Sequence, residues 1–317
     1  MTAPAGFSTV AVIGNGIIGH GVSQVYAVAG KDVVMIGRSA DSLGRAIDNI
    51  RASVADFERH GLVTAREAEA AVGRIRTSTE LDDAAEAELV IEAVTHDMAL
   101  KVELFGELDL ICPLPTVLAT SSGAPASDVL DRVRHPERVI AAQFWNPPQL
   151  IPLVEVCASP ATAPEVVRWT CDAVRACGKE PAVIDREVPG LIGNRLQFAM
   201  LREAWSLWAS GAASAEAIDA CVRGTIGRRL GVTGPLESAD IAGIATMDSF
   251  ARGVLPDLDV SPEPPAALGE SVARGGVYDW SQRDAAALRA ARTEELFRWL
   301  AVDAAAARAR ERHPAPR

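Results

Sequence analysis

Between Ser8 and about Asp185 the chain repeats one pattern: a short run of β-branched and aliphatic residues, then a longer stretch with apolar positions every three to four residues. That alternation predicts βαβ units and a mostly parallel sheet, because a parallel neighbour needs a crossover long enough to hold a helix. Strands are expected at TVAVIG (9–14), DVVMIG (32–37), ELVIEAV (88–94), TVLATSS (116–122), RVIAAQFW (138–145) and LVEV (153–156). Between the second of these and the third, SADSLGRAIDNIRASVADFERHG is amphipathic at helical spacing and stops at Gly61. Beyond DREVPG the character changes. From Leu191 strand patterns disappear, and Ala-rich helical segments take over: QFAMLREAWSLWASG, SAEAIDACVRG and a closing run from Asp284 to about Arg310. VSPEPPAALGE (260–270) reads as a proline-rich loop. The pattern predicts a doubly wound α/β domain over residues 1–187 and an all-α domain over residues 188–317.

Composition narrows the function more than the fold. At 317 residues and 49% hydrophobic content the chain fills two cores of ordinary size. A net charge of -11 and a pI near 5.0 disfavour nucleic acid and anionic membrane surfaces as partners, since both are bound by cationic side chains that release counterions. A local basic pocket for an anionic cofactor stays compatible with that charge. The five cysteines form no CxxC pair and no Cys/His cluster of metal-ligand spacing, so they read as reduced thiols and no metal is expected. No basic leader precedes an apolar run, and no apolar stretch approaches the roughly 20 residues of a membrane span. A cytoplasmic location is the expectation.

GNGIIG places Gly14, Gly16 and Gly19 at GxGxxG spacing between the first strand and the helical IIGHGVSQVYAVAG. In that context the hexapeptide is the dinucleotide fingerprint of a Rossmann-type domain. The first glycine permits the tight turn, the second lets the backbone approach a pyrophosphate, and the third lets helix and strand pack closely. The helix N-terminus, opening on Ile17 and Ile18, offers unpaired N–H groups to the anion. An NAD site expects Asp or Glu at the end of the second strand, to accept from the ribose 2′-OH. Here Gly37 stands there, followed by Arg38 and Ser39. Without the carboxylate a 2′-phosphate is not repelled, and Arg38 can pair with it while Ser39 donates. NADP(H) is therefore favoured, with NAD(H) the alternative should Arg38 be only a solvated loop residue.

The fingerprint, VIEAVTHDMALKVELFGELD, NPPQLIPLVEV, VPGLIGNRL and GPLESADIAG together resemble the L-3-hydroxyacyl-CoA dehydrogenase family. The NPPQLIPLVEV wording is most similar to the branch with carnitine dehydrogenases and lambda-crystallin (gulonate dehydrogenase), and the resemblance covers nearly the whole chain. In that family a serine and an asparagine hold the substrate oxygen, a histidine exchanges its proton and a glutamate orients the histidine. The resemblance implies Ser122, Asn194 and Glu155 for the serine, asparagine and glutamate. The serine loop is one residue shorter than usual, which makes Ser121 an alternative. Gln143 stands where the histidine is expected, and His96 where the segment after IEAV normally continues into a glutamate. Lys101 resembles a family lysine near cofactor and substrate, and Glu92 of IEAV joins it in the cofactor-contacting set. Homodimerisation through the helical domain, with Trp205 and Trp208 at the interface, is likewise implied; the same tryptophans read equally as core. Taken singly, Ser122 and Asn194 are also ordinary helix caps and Glu155 an ordinary strand residue facing water.

Glutamine has donors and an acceptor but no proton to exchange near neutral pH. It can polarise a carbonyl and not protonate one. Three readings follow. In the first, Ser122, Gln143 and Asn194 cradle the oxygen of a 3-oxo or 3-hydroxy acyl substrate (thioester, free acid or polyketide-like), and water, the substrate or Glu155 supplies the proton. In the second, an imine or iminium substrate is reduced and needs little acid catalysis. In the third, the chain is a dinucleotide-binding structural or sensing protein. The histidines offer little rescue: His20 opens the first helix near the expected pyrophosphate, His60 ends a helix, His135 precedes a proline, His313 is in the tail, and only His96 follows a strand at the cofactor edge.

Overall fold

Eight strands in the order β3-β2-β1-β4-β5-β6-β7-β8 make one twisted sheet in the computed structural model, which describes residues 6–312. They are β1 Thr9–Ile13, β2 Asp32–Ile36, β3 Ile75–Ser78, β4 Leu89–Glu92, β5 Val117–Thr120, β6 Val139–Phe144, β7 Leu153–Ala158 and β8 Glu180–Ile184. All neighbours run parallel except β6 and β7. The order reverses between β1 and β4, the position where doubly wound sheets open a crevice for a ligand. The fold is a Rossmann-type α/β domain followed by helices.

Residue alternation assigns the two faces. Along β1, Val10 and Val12 pack with α1 (Ile17–Val28) and α5 (Pro164–Ala176), while Ala11 and Ile13 pack with α4 (Met98–Ile111). Both faces are buried, which is why these strands read as nearly continuous apolar runs. Between β2 and β3, α2 (Ala40–Arg59) and α3 (Ala65–Gly73) close over Met35 with Leu43, Ala46 and Ile50. β3 and β8 were not legible in the hydrophobic pattern. Both are edge strands: IRTS is only partly buried, and EPAVI carries a proline where just one ladder must be satisfied.

Contacts divide the chain into two compact units: the described residues up to Asn194 with those from Ala290 on, and Arg195–Arg289. In the first, the latter part of α12 (Ala285–Arg312) joins α2, where Phe297 meets Phe57 edge-on and stacks against His60 at 4.1 Å between ring centres. The second holds the remainder of α6 (Leu191–Ala209) and α7 (Ala215–Gly224), α8 (Ile226–Leu230), α9 (Pro235–Ala242), α10 (Ile244–Val254) and α11 (Ala266–Arg274). Among the described residues no helix is long and apolar enough to cross a membrane.

Candidate functional site

The three fingerprint glycines do separable jobs. Gly14 has φ +104°, and a Cβ there would lie 2.6 Å from the Ala93 carbonyl oxygen at the end of β4. A Cβ on Gly19 would lie 1.9 Å from the Gly14 carbonyl oxygen, so helix and turn touch backbone to backbone. At Gly16, the residue before α1, a Cβ would meet nothing within 4 Å. That open side leads into a cleft of about 620 Å³ walled by Gly14, Asn15, Gly16, Ile17, Gly37 and Arg38, with Ser42 and Arg45 of α2. A helix N-terminus free to receive an anion, backbone that only glycine permits, and open space over Gly16 fit a dinucleotide. Ile18 turns instead toward the core.

At the far end of the cleft the end of β2 carries no carboxylate, and the Asn15 and Leu43 side chains lie close over the glycine that stands there. A Cβ on Gly37 would lie 2.8 Å from Asn15 Oδ1 and 2.9 Å from Leu43 Cδ2. Arg38 and Arg45 are exposed on this cleft, and neither has an ion-pair partner among the described residues. Ser39 caps α2, its hydroxyl oxygen accepting from the Ser42 N–H at 3.3 Å. Sequence reasoning missed Asn15 and Arg45. Arg45 lies in the second turn of α2, which opens two residues after Arg38, a placement that could have flagged it. His20 hydrogen-bonds the Gly16 carbonyl through Nδ1 at 2.7 Å, and burial holds its imidazole below the ordinary histidine pKa. His96 is exposed after β4; His60 contacts Phe297 and Glu294, His135 contacts Glu137, and His313 lies outside the described residues.

On the α4 side of the sheet, the alternation that buries Val90, Leu118, Ala141 and Cys157 also projects a polar residue from each of four strands: Glu92, Thr120, Gln143 and Glu155. Glu92 and Thr120 are register neighbours, as are Gln143 and Glu155. Glu92 and Lys101 of α4 form an ion pair that is 0% and 1% exposed, so neither lines the dinucleotide cleft. Thr120 Oγ1 donates to Glu92 Oε2 at 2.8 Å and lies 2.9 Å from Ser122 Oγ. Ser121, the alternative serine, is buried and accepts from the Phe144 N–H at 3.1 Å.

Glu155 does not face water. It is 3% exposed, and its Oε1 accepts from the N–H groups of Ile192 and Gly193, both at 2.9 Å, at the first turn of α6. Its Oε2 accepts from the Trp145 indole at 3.2 Å. A Cβ on Gly193 would lie 2.1 Å from Trp145 Cζ2, so the indole lies against the glycine backbone. Trp145 is a third residue that sequence reasoning missed. The Gly190 N–H donates to the Gly123 carbonyl at 3.0 Å, tying the serine loop to the same helix start. Asn194, one turn in, and Gln143 converge on Gly123: a Cβ there would lie 2.7 Å from Asn194 Nδ2 and 3.8 Å from Gln143 Oε1. Gln143 Oε1 is buried and has no hydrogen-bond partner among the described residues. Ser122, Gln143 and Asn194 are thus brought together around one loop, with Glu155 anchoring beneath.

Comparison with known proteins places the chain in a family. Residues 9–188 match the family model of the 3-hydroxyacyl-CoA dehydrogenase NAD binding domain, and residues 190–277 match that of the 3-hydroxyacyl-CoA dehydrogenase C-terminal domain. The chain is 35% identical to 3-hydroxyadipyl-CoA dehydrogenase of Escherichia coli over 87% of its length, while spanning 60% of that protein. It is 36% identical to L-carnitine dehydrogenase of Streptomyces griseus over 76% of its length and 71% of that protein's. With 5-formyl-3-hydroxy-2-methylpyridine 4-carboxylate 5-dehydrogenase of Mesorhizobium japonicum the identity is 31%, covering 90% of this chain and 95% of the other. A crystal structure of an enzyme with that activity, described as an NAD+ dependent dismutase, superimposes with a TM-score of 0.86 at 27% identity, over 94% of this chain and 98% of the other.

Proposed function

The chain belongs to the 3-hydroxyacyl-CoA dehydrogenase family, and from that premise we propose that it is an NADP(H)-preferring reductase interconverting 3-oxo and 3-hydroxy acyl substrates. Members of this family are oxidoreductases that act on CH–OH groups with a nicotinamide dinucleotide. The observation that carries the proposal is the convergence of the Gln143 and Asn194 amides on Gly123, next to Ser122, at the carboxyl ends of β5 and β6. A dinucleotide held over Gly16 at the α1 N-terminus would supply the hydride chemistry. Asn194 Nδ2 can donate to the substrate oxygen while Gln143 Oε1 can accept from a substrate O–H, and one preorganised donor at such a position contributes about 10²–10³-fold in rate. An amide in place of an imidazole therefore lowers catalysis without abolishing it.

The relatives act on different compounds, so the test is a panel: 3-hydroxybutyryl-CoA, 3-hydroxyadipyl-CoA, L-carnitine, their oxidised counterparts, the formylpyridine carboxylate and a cyclic imine, with nicotinamide absorbance followed throughout. Turnover of a 3-hydroxy or 3-oxo compound is the expected result. Turnover of the imine alone would favour the iminium reading. Tight NADPH binding with no turnover anywhere would leave a dinucleotide-binding sensor.

The NADPH preference rests on the absent carboxylate at Gly37 and the unpaired Arg38 and Arg45. A charge-assisted hydrogen bond contributes about 1.5–3 kcal/mol. Arg38→Ala should therefore lower the ratio of NADPH to NADH affinity by about 10-fold or more, measured by direct titration. An unchanged ratio would remove Arg38 from phosphate recognition. We also assign the helical unit to homodimerisation. α7 to α10 bury no residue within the chain, and Val232, Leu236 and Ile241 are each more than three-quarters exposed, too much apolar surface for a solitary domain. Trp205 and Trp208 are half-buried within α6, so the prediction is a dimer by sedimentation whose contacts lie mainly on α7 to α10.

A further inference from the structure

The missing histidine leaves the substrate hydroxyl without a proton acceptor, and four side chains lead from the candidate site into the core in a way that supplies one. A carboxylate beside a lysine ammonium can only accept, so in the 2.8 Å contact of Thr120 Oγ1 with Glu92 Oε2 the threonine donates. Its single proton is then spent. In the 2.9 Å contact between Thr120 and Ser122 the serine must therefore be the donor. Glu92 Oε1 is occupied by the Val94 N–H at 2.7 Å and by the Lys101 ammonium. Every proton in the row points inward, from half-exposed Ser122 through buried Thr120 to a carboxylate closed off from solvent.

This direction changes what Ser122 offers. With its own proton committed to Thr120, it faces the site as a lone pair, suited to a substrate O–H and not to a carbonyl oxygen. The buried acceptor Oε1 of Gln143 close by is of the same sign. A purely structural ion pair between Glu92 and Lys101 would need only Thr120 as an extra donor, and would not account for a second hydroxyl extending the row to the loop that carries the site.

We propose that Ser122, Thr120 and Glu92, held by Lys101, form a proton relay that replaces the absent imidazole; the proposal rests on the oxidoreductase reading above. When a substrate alcohol is oxidised, its C–H bond breaks with the hydride going to the nicotinamide that the family activity supplies, and its O–H bond breaks as the carbonyl forms. The released proton passes to Ser122 Oγ while the serine proton passes to Thr120 Oγ1 and the threonine proton to Glu92 Oε2. One proton leaves the substrate and one arrives on Glu92. Reduction runs the same shifts backwards, Glu92 giving up the proton that ends on the new hydroxyl. The row resets through Ser122 once product has left and water takes its place. The dispersed chain of short contacts does what a single titrating side chain does elsewhere, and Gln143 and Asn194 are left to orient the oxygen.

The test uses the full-length protein, with Thr120→Val to cut the row and Thr120→Ser to restore the hydroxyl, assayed on whichever panel substrate the wild type turns over. T120V should lower kcat by about 10²–10³-fold, within the range of a lost acid–base group, with NADPH affinity unchanged. T120S should recover most of the rate, and the solvent deuterium isotope effect on kcat should be present in wild type and T120S and altered in T120V. Activity of T120V within about threefold of wild type, or T120S no faster than T120V, would overturn the relay. Loss of NADPH binding in T120V would also overturn it, since Thr120 would then be structural. A wild type that turns over nothing in the panel removes the oxidoreductase reading and the relay with it.

Discussion

Replacing Glu155 by leucine is expected to destabilise the protein by about 2–4 kcal/mol, the sum of several orphaned donors. The carboxylate accepts three N–H groups: two from the opening turn of α6 and one from Trp145. A helix start has no intrahelical partners for its first N–H groups, and the residues before α6 supply no serine, threonine or aspartate to cap it, Leu191 itself entering at φ +51°. Glu155 reaches from β7 to do that job. Leucine fills the volume and satisfies none of the three; the partial exposure of Ile192 and Gly193 lets water recover part of the loss, which keeps the figure below a fully buried sum. Glu155→Gln should be milder, about 1–2 kcal/mol, because one carbonyl oxygen still accepts. Urea unfolding distinguishes them. Equal stability of wild type and E155L would mean that the α6 start is held by something other than this carboxylate.

How much of this was legible in the sequence follows from the kind of signal each feature leaves. The six interior strands announced themselves because both faces are buried, and the dinucleotide turn because a Cβ on Gly19 would lie 1.9 Å from the Gly14 carbonyl oxygen, so that only glycine fits. Edge strands β3 and β8 left weaker traces, since one side of each needs no ladder and little burial. Side-chain roles were harder. Family resemblance brought Ser122, Gln143, Glu155 and Asn194 forward, but not what they hold. Trp145 reads in the sequence as one more aromatic, and only the β6–β7 pairing shows its indole on Glu155. Glu92 and Lys101 are placed by the resemblance near the cofactor; strand alternation turns Glu92 toward α4, where it meets a lysine nine residues on. A carboxylate and a lysine at that spacing can face solvent or each other, and local sequence does not choose between them.

The position of Trp145 shapes the outcome of restoring the histidine. Gln143→His places an imidazole opposite Glu155 in the β6–β7 register, the neighbour that should fix its tautomer. That carboxylate is already engaged: Oε1 by two backbone N–H groups, Oε2 by the indole. An imidazole at 143 has to compete with Trp145 for Oε2, and a base without its orienting partner is weakly effective. Q143H alone should therefore gain less than about 10-fold in kcat, short of the 10²–10⁴-fold that positioned acid–base catalysis typically supplies. Trp145→Phe keeps an aromatic ring beside Gly193 while freeing Oε2, and alone it should change kcat little. The double variant should reach about 10²-fold and acquire a pH dependence near the ordinary histidine pKa of about 6.5, absent from the wild type. The gain beyond the product of the single effects measures the coupling between the two positions through Glu155. Full gain from Q143H alone would mean that the indole does not occupy the carboxylate in the working enzyme. No gain in either variant would place the reacting oxygen away from Gln143, because an imidazole within reach of a substrate hydroxyl cannot leave its titration invisible.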